Sequence, residues 1–221
     1  MVSDSIVKID DLTGFLSIPD KKTGKGVLLL HAWWGLNDFF KTLANRFAVE
    51  GFISFAPDYY NGRVATTVDE ANSLRMKFDK KEAELIHKNA VDYLKQHPSM
   101  IGEKIGVLGI SLGTRFSVNL ARKRPKDIGV IILFYGVVGG IFRGFKVPIQ
   151  GHFAENDEWG ADPKAVKKFE KRLDEGDGGY EFYTYEDTTH WFFEDNVVKA
   201  YHRPSAELAF RRTIDFLKSH L

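Results

Sequence analysis

The chain has 221 residues, of which 43% are hydrophobic and 28% charged, so it can bury a sizeable core and is not expected to be disordered. Its 31 basic and 30 acidic residues leave a formal net charge of +1 with no basic block, which argues against a nucleic-acid partner. The absence of cysteine excludes thiolate catalysis and cysteine-ligated zinc. With no apolar run near the roughly 18 residues of a membrane span and no leader-like N-terminus, the expectation is a cytoplasmic protein without a membrane partner.

Short apolar runs, several of them bounded by glycine or proline, alternate with longer amphipathic segments along the chain. The runs predict strands, the first of them able to pair antiparallel, and the segments between them predict helices. In chain order the predicted strands are 13–18, 26–31, 53–56, 104–108, 129–135, 147–153 and 180–185, and the predicted helices are 38–49, two between 67 and 97, 112–123, 163–175 and 204–220. This alternation predicts a single α/β domain over 1–221, with a mostly parallel central sheet and helices on both faces.

A G-x-S-x-G motif, Gly109-Ile110-Ser111-Leu112-Gly113, lies between a predicted strand and a predicted helix. In a nucleophile elbow the serine occupies a strained turn, and the flanking glycines let strand and helix approach closely, so the hydroxyl is held exposed. The next amide, that of Leu112, would then face the oxygen that becomes negative. A glycine-rich turn at a helix start is the alternative. The strand-turn-helix context favours Ser111 as a nucleophile.

A serine hydroxyl is a weak nucleophile until a base accepts its proton, so a histidine and an acid are required later in the chain. Asp157 follows the sixth predicted strand, with Glu155 and Glu158 as competitors, and His190 follows the seventh. Open parallel sheets place functional groups at such strand ends. The order Ser, Asp, His is that of α/β-hydrolases, and it predicts a triad of Ser111, Asp157 and His190.

Other histidines compete for the role of the base. His31 and His152 also end predicted strands and are second candidates. A lone histidine at a strand end is usually structural, which favours His190. The remaining histidines fall in or beside polar helical segments and are predicted at the surface; they are His87, His97, His202 and His220.

Residues of a substrate pocket are also expected at the strand ends. The second oxyanion donor should lie in the loop after the first core strand, where the amide of Trp33 is the candidate. Aromatic residues gather near the proposed site, which suggests an apolar or aromatic acyl or leaving group, with simple packing as the alternative. They are Trp34, Tyr59, Tyr60, Tyr135, Trp159 and Trp191. Arg63 and Arg75 could hold an anionic substrate group, with a solvated surface position as the alternative.

Several sequence blocks together resemble the dienelactone hydrolase family over nearly the whole chain. The blocks are 30–37, 50–60, 105–113, 151–157 and 190–192 with the terminal helix. The resemblance implies a compact α/β-hydrolase without a large lid. It also implies hydrolysis of small esters or lactones with no metal and no organic cofactor.

Three positions depart from what the resemblance implies. The nucleophile of the best-known members is a cysteine, whereas Ser111 points to serine-esterase chemistry through an acyl-enzyme. Ala32 stands where members often carry a glutamate that interacts with the nucleophile. Members also often carry an arginine shortly after the catalytic histidine that holds a substrate carboxylate; here that arginine is absent, and Glu194 lies in that neighbourhood. Dienelactone itself is therefore disfavoured as the substrate.

The predicted function is hydrolysis of a small-molecule ester or lactone. Thioesterases, peptidases and acyltransferases share the triad and differ in pocket and acceptor, so they stand as alternatives. A non-catalytic α/β-hydrolase homologue that binds a small ligand is the alternative from another class.

Overall fold

The structure, a computed structural model, describes residues 2–9 and 12–221, and in these ranges it contains eight strands and six helices. The strands are β1 (Ser3–Ile9), β2 (Leu12–Ile18), β3 (Lys25–Leu30), β4 (Phe52–Pro57), β5 (Ile105–Ile110), β6 (Ile128–Phe134), β7 (Ile149–Asn156) and β8 (Tyr180–Thr189). The helices are α1 (Asp38–Val49), α2 (Val68–Lys77), α3 (Lys80–Gln96), α4 (Leu112–Lys123), α5 (Pro163–Leu173) and α6 (Arg203–His220). From residue 12 to residue 221, the connections between these elements are too short to form a separate lid domain.

Every predicted strand and helix is present, with small shifts at the ends. The helix after the motif, α4, has the predicted bounds. Asn37 caps α1 by accepting a hydrogen bond from the Phe40 amide, and Thr67 with Glu70 forms a capping box at α2. The apolar pattern does not predict β1, because all but one of its side chains are exposed.

Contacts divide the chain into two compact units, and the first comprises the described residues up to Val107 together with Leu221. In this unit β2 pairs antiparallel with β1 and with β4, and β4 pairs parallel with β3. Every residue of β4 is buried. Helix α1 packs against β4 and buries Phe40 and Phe47 between the two elements' apolar faces, which forms the core of this unit.

The second unit comprises Leu108–His220. Here β7 pairs parallel with β6 and with β8, and α6 packs against both β6 and β7. Asn156, the last residue of β7, pairs with Thr189, the last residue of β8. Because parallel strands end at the same edge of a sheet, Asp157 and His190 follow these partners side by side.

The predicted α/β class with mostly parallel strands is confirmed, whereas the prediction of a single domain stays a prediction, since the division between the units falls within β5. Within the described residues, no helix combines the length and apolar character needed to cross a membrane.

The prediction that His87 lies at the surface is wrong. His87 is 4% exposed, although its neighbours in sequence are polar. It lies on the buried stripe of α3, with Ala83 one turn before it and Ala90 and Val91 one turn after it. This spacing of three and four residues marks one face of a helix. Of the others predicted at the surface, His220 is exposed, and His97 and His202 are half-buried.

Candidate active site

Ser111 lies in a sharp turn between β5 and α4. Its backbone angles are φ 51° and ψ −107°, a region that side-chain-bearing residues rarely adopt. The turn is held by a hydrogen bond from the Ser111 amide to the Phe134 carbonyl (3.0 Å), and the Thr114 hydroxyl donates to the Ser111 carbonyl (2.6 Å). A Cβ at Gly109 would collide with the Gly113 carbonyl. The geometry is therefore that of the predicted elbow, with a strained serine between closely packed glycines.

The structure brings together the three residues predicted as a triad. The hydroxyl oxygen of Ser111 is 3.0 Å from Nε2 of His190, and Nδ1 of His190 is 2.7 Å from Oδ2 of Asp157. The side chains of His190 and Asp157 are 5% and 0% exposed. A carboxylate at Nδ1 favours the tautomer that carries its proton there, which leaves the Nε2 lone pair facing the serine hydroxyl.

The loop after β7 fixes the carboxylate of Asp157. Its Oδ1 accepts hydrogen bonds from the amides of Trp159 (2.7 Å) and Ala161 (3.3 Å). Burial acts to raise the pKa of Asp157, but these bonds and the interaction with His190 outweigh it and lower that pKa below its ordinary value. The two competing acids, Glu155 and Glu158, are exposed, and Glu155 accepts from the Asp187 amide instead.

The two alternative bases have other partners. Nδ1 of His31 donates to the Ala32 carbonyl (2.6 Å), and its Nε2 accepts from the Tyr59 amide (3.2 Å). His152 contacts the Tyr185 hydroxyl (2.8 Å) and the Gln150 side chain (3.0 Å). Burial lowers the pKa of His31 to about 4 and that of His152 to about 3, so both are neutral. Their hydrogen bonds give them structural roles.

Three of the predicted pocket residues surround His190. The ring centroids of Tyr135, Trp191 and Trp159 lie 4.6, 5.0 and 6.3 Å from the imidazole centroid. The two tryptophans also contact each other, at 5.0 Å between centroids. Trp159 is 50% exposed, so its ring offers an aromatic surface to solvent beside the base.

The other predicted pocket residues lie in the first unit. Trp33 contacts Trp34 at 5.3 Å between ring centroids, and Tyr59 and Tyr60 are buried around His31. Arg63 and Arg75 are exposed; Arg63 donates to the Tyr60 carbonyl and Arg75 to the Asn72 side chain. The substrate contacts of these residues and the oxyanion role of the Trp33 amide stay predictions.

Sequence reasoning missed the placement of Glu194. It is fully buried, and its Oε1 accepts a hydrogen bond from the Tyr135 hydroxyl (2.7 Å). Burial raises the pKa of Glu194 to about 8. The sequence does hold a sign of this, because Glu194 directly follows the apolar run 191–193, where an acidic residue is unexpected.

The described residues contain no cluster of metal ligands. Within residues 2–9 and 12–221, no group of three or more histidine, aspartate and glutamate side chains is placed to hold a metal ion. The chemistry that these residues can support directly is proton transfer between Ser111 and His190, next to the carboxylate of Asp157.

Comparison with known proteins identifies the family. The model of the dienelactone hydrolase family matches residues 12–221. Protein usf of Aquifex pyrophilus is 32% identical over 219 residues, which cover 94% of this chain and 93% of that protein.

Solved structures share the fold. A dienelactone hydrolase-like promiscuous phosphotriesterase from metagenomic libraries has a TM-score of 0.79 at 18% identity, covering 99% of this chain and 98% of the other. An alpha/beta hydrolase from a Medee basin deep-sea metagenome library has a TM-score of 0.73 at 14% identity, covering 99% and 97%. The predicted α/β-hydrolase fold is confirmed. Because the family model matches nearly the whole chain, the chain belongs to the dienelactone hydrolase family.

Proposed function

We propose that the chain hydrolyses small esters or lactones through an acyl-enzyme on Ser111, with His190 as the general base and Asp157 as the residue that orients it. The observation that carries the proposal is the continuous set of short contacts from the Ser111 hydroxyl through both imidazole nitrogens to the Asp157 carboxylate. Membership of the dienelactone hydrolase family supports the same reaction class.

Acylation begins when Oγ of Ser111 attacks the substrate carbonyl carbon and its proton passes to Nε2 of His190. The tetrahedral intermediate then expels the leaving alcohol, which takes the proton back from the imidazolium. Water repeats these steps on the acyl group and restores the serine. Asp157, kept ionised by its hydrogen bonds, stabilises the imidazolium throughout.

The oxyanion of the tetrahedral intermediate needs hydrogen-bond donors. Leu112 is the first residue of α4, and the amides of a helix's first turn have no carbonyl partner within the helix. They also lie at the positive end of the helix dipole. These properties support the Leu112 amide as one donor of the oxyanion hole, an interaction of a kind that typically contributes about 3 kcal/mol to transition-state stabilisation.

The surroundings of His190 support an uncharged, aromatic or apolar substrate. Tyr135, Trp159 and Trp191 contact the imidazole, and the Trp159 ring is half exposed. Glu194 lies four residues after the base and brings no positive charge with it. We therefore expect an aryl ester to be hydrolysed faster than the same ester carrying a carboxylate on its acyl group.

The first test is covalent labelling. The folded protein is treated with a fluorophosphonate probe and its intact mass is measured. We expect one adduct in the wild type and none in Ser111→Ala. The matched control is Ser205→Ala, because Ser205 also contacts a histidine, Nδ1 of His202 at 2.8 Å. An adduct that persists in Ser111→Ala, or that disappears in Ser205→Ala, contradicts the assignment of the nucleophile.

Turnover is then measured on matched aryl esters, lactones, thioesters and amides. Hydrolysis of esters or lactones by the wild type, and its loss in Ser111→Ala, is the expected result. Turnover of thioesters or amides alone would favour the thioesterase or peptidase alternative. Saturable ligand binding without an adduct or turnover would favour the non-catalytic one.

A further inference from the structure

Tyr135 forms one wall of the site of His190. It follows β6 directly, is 1% exposed, and its ring lies 4.6 Å from the imidazole centroid at an interplanar angle of 57°. Its φ of 38° is in the left-handed region, which is unfavourable for a residue with a bulky side chain. Strained positions of this kind persist where surrounding contacts enforce them, and they gather at functional sites. Contacts with surrounding residues therefore hold Tyr135 in a backbone conformation that it would not otherwise favour.

Beside ring contacts with Phe134 and Phe192, Tyr135 makes a hydrogen bond through its hydroxyl. This group donates to Oε1 of Glu194 at 2.7 Å, and both residues are buried. Oε2 of Glu194 has no hydrogen-bond partner among the described residues. The Glu194 amide donates to the Trp191 carbonyl, which ties this carboxyl to the turn that carries His190. One hydrogen bond thus links the two segments on either side of the imidazole.

We propose that Glu194 is a positioning residue for the general base: by accepting the hydrogen bond of the Tyr135 hydroxyl, it holds the Tyr135 ring against His190. The inference rests on the proposed function. A fixed ring limits the imidazole to the orientation that reaches both Ser111 and Asp157. Displacements near 1 Å in such a set of groups can cost about a hundredfold in rate, so a small loss of support should be measurable.

The charge state of Glu194 belongs to the same inference. Burial raises its pKa to about 8; the bond from Tyr135 acts in the opposite direction, and Asp195 raises the pKa further. On the far side of Tyr135 stand His190 and Asp157. At neutral pH Glu194 is uncharged and accepts the hydrogen bond as an acid. When it ionises, a buried negative charge near the site opposes formation of the substrate oxyanion, so kcat should fall.

Three variants separate these effects. Glu194→Met has a similar size but no acceptor, Tyr135→Phe keeps the ring without the hydroxyl, and Glu194→Gln keeps an acceptor but cannot ionise. Both Glu194→Met and Tyr135→Phe should lower kcat on an aryl ester about tenfold, with little change in KM. Glu194→Gln should keep most of the wild-type kcat at neutral pH. Glu186→Gln, at an exposed position of β8, is the matched control.

The pH profile gives the readout that a purely structural role would not change. In the wild type, kcat should fall at alkaline pH with an apparent pKa of about 8, and this limb should be absent in Glu194→Gln. The inference is overturned if the limb remains in Glu194→Gln. It is also overturned if Glu194→Met and Tyr135→Phe lower the unfolding temperature but leave kcat unchanged.

A measurement without turnover keeps the inference separate from the proposed function. The His190 ring protons, assigned by comparison with His190→Ala, are followed by NMR across the same pH range. We expect the ring resonances to shift with a midpoint of about 8 in the wild type, this shift to be absent in Glu194→Gln, and the resonances to be displaced in Glu194→Met. If the wild type hydrolyses nothing, the proposed function fails. Ring resonances that coincide in wild type and Glu194→Met overturn the inference whatever the activity.

Discussion

His31 in the first unit and His190 in the second stand in similar surroundings with different partners. Each follows a strand, each is buried, and each contacts a tyrosine ring, at 3.9 Å for Tyr59 and 4.6 Å for Tyr135. Both ring nitrogens of His31 bond to backbone groups. Those of His190 face a carboxylate and a serine hydroxyl. Burial and aromatic packing therefore do not distinguish a structural histidine from a candidate base; the partners of the two nitrogens do.

The largest expected effects come from replacing each of the two histidines with alanine, because one change should affect catalysis and the other stability. His190→Ala should lower kcat on a good ester on the order of 10⁵-fold, because serine then has no base. His31→Ala should instead lower the free energy of unfolding by about 3 kcal/mol, through a lost buried ring and an unpaired amide. Turnover and urea denaturation are measured on both variants. Near-wild-type turnover by His190→Ala would refute the assignment of the base.

The next largest effect on kcat is expected from the carboxylate of Asp157. Asp157→Asn should lower kcat about 10⁴-fold, because an amide can hold the imidazole in the wrong tautomer without changing the fold. Glu155→Gln is the matched control, since Glu155 is exposed two residues earlier and bonds to the Asp187 amide. It should change kcat less than about twofold. The reverse ranking of these two variants in a steady-state assay would show that the acid is misassigned.

These two histidines also show how much the sequence could predict. The G-x-S-x-G motif and the order of Ser111, Asp157 and His190 rest on local pattern and strand order, and the structure places these side chains within hydrogen-bonding distance. The bounds of α4 follow from the same local pattern. The preference for His190 over His31 rests on the same order, and the structure adds the partners of the ring nitrogens, most of which lie far away in the chain.

Two features escaped the sequence analysis, for different reasons. The polar neighbours of His87 predict a surface position, whereas the helical spacing of Ala83, Ala90 and Val91 indicates the buried face only when it is read around the helix. The bond between Tyr135 and Glu194 joins residues 59 positions apart. Because its formation depends on how β6 and the turn after β8 pack, no local pattern indicates it.

The three buried histidines with lowered pKa values should together make the free energy of unfolding depend on pH in acid. Burial lowers the pKa of His31 to about 4 and those of His87 and His152 to about 3, below the ordinary 6.5. Above pH 6.5 these groups are neutral whether the chain is folded or unfolded. Below it, the unfolded chain binds protons that the folded chain does not, so the free energy of unfolding falls, by at most about 4 kcal/mol per pH unit for three protons.

This slope is measured by urea denaturation at several pH values from neutral to about pH 4.5, above the range in which ordinary carboxyl groups dominate. His87→Gln should reduce the slope by up to about one proton, or 1.4 kcal/mol per pH unit. A stability that is independent of pH over this interval would mean that these histidines are protonated in the folded protein.

The expected slope of stability with pH is smaller on the alkaline side, because it comes from one group, Glu194. Its folded-state pKa of about 8 is above the ordinary 4.5, so below pH 4.5 its proton is bound in both states and the contribution to stability is fully present. As pH rises from 4.5 through 8, the unfolded chain releases this proton first. The wild type should therefore lose stability relative to Glu194→Gln by up to about 1.4 kcal/mol per pH unit, and the difference should level off above pH 8.

Thermal or urea unfolding of the pair at matched pH values measures this difference, and a difference that stays constant with pH would show that Glu194 is ionised in the folded protein. Together with the histidines, this result means that the free energy of unfolding should fall both towards acid pH and towards alkaline pH. In acid the buried histidines lower stability because they stay neutral while the unfolded chain binds protons. In base Glu194 lowers stability because it keeps its proton while the unfolded chain has released it. Glu194→Gln should extend the stable range only on the alkaline side, because the amide removes the second of these losses and leaves the histidines unchanged.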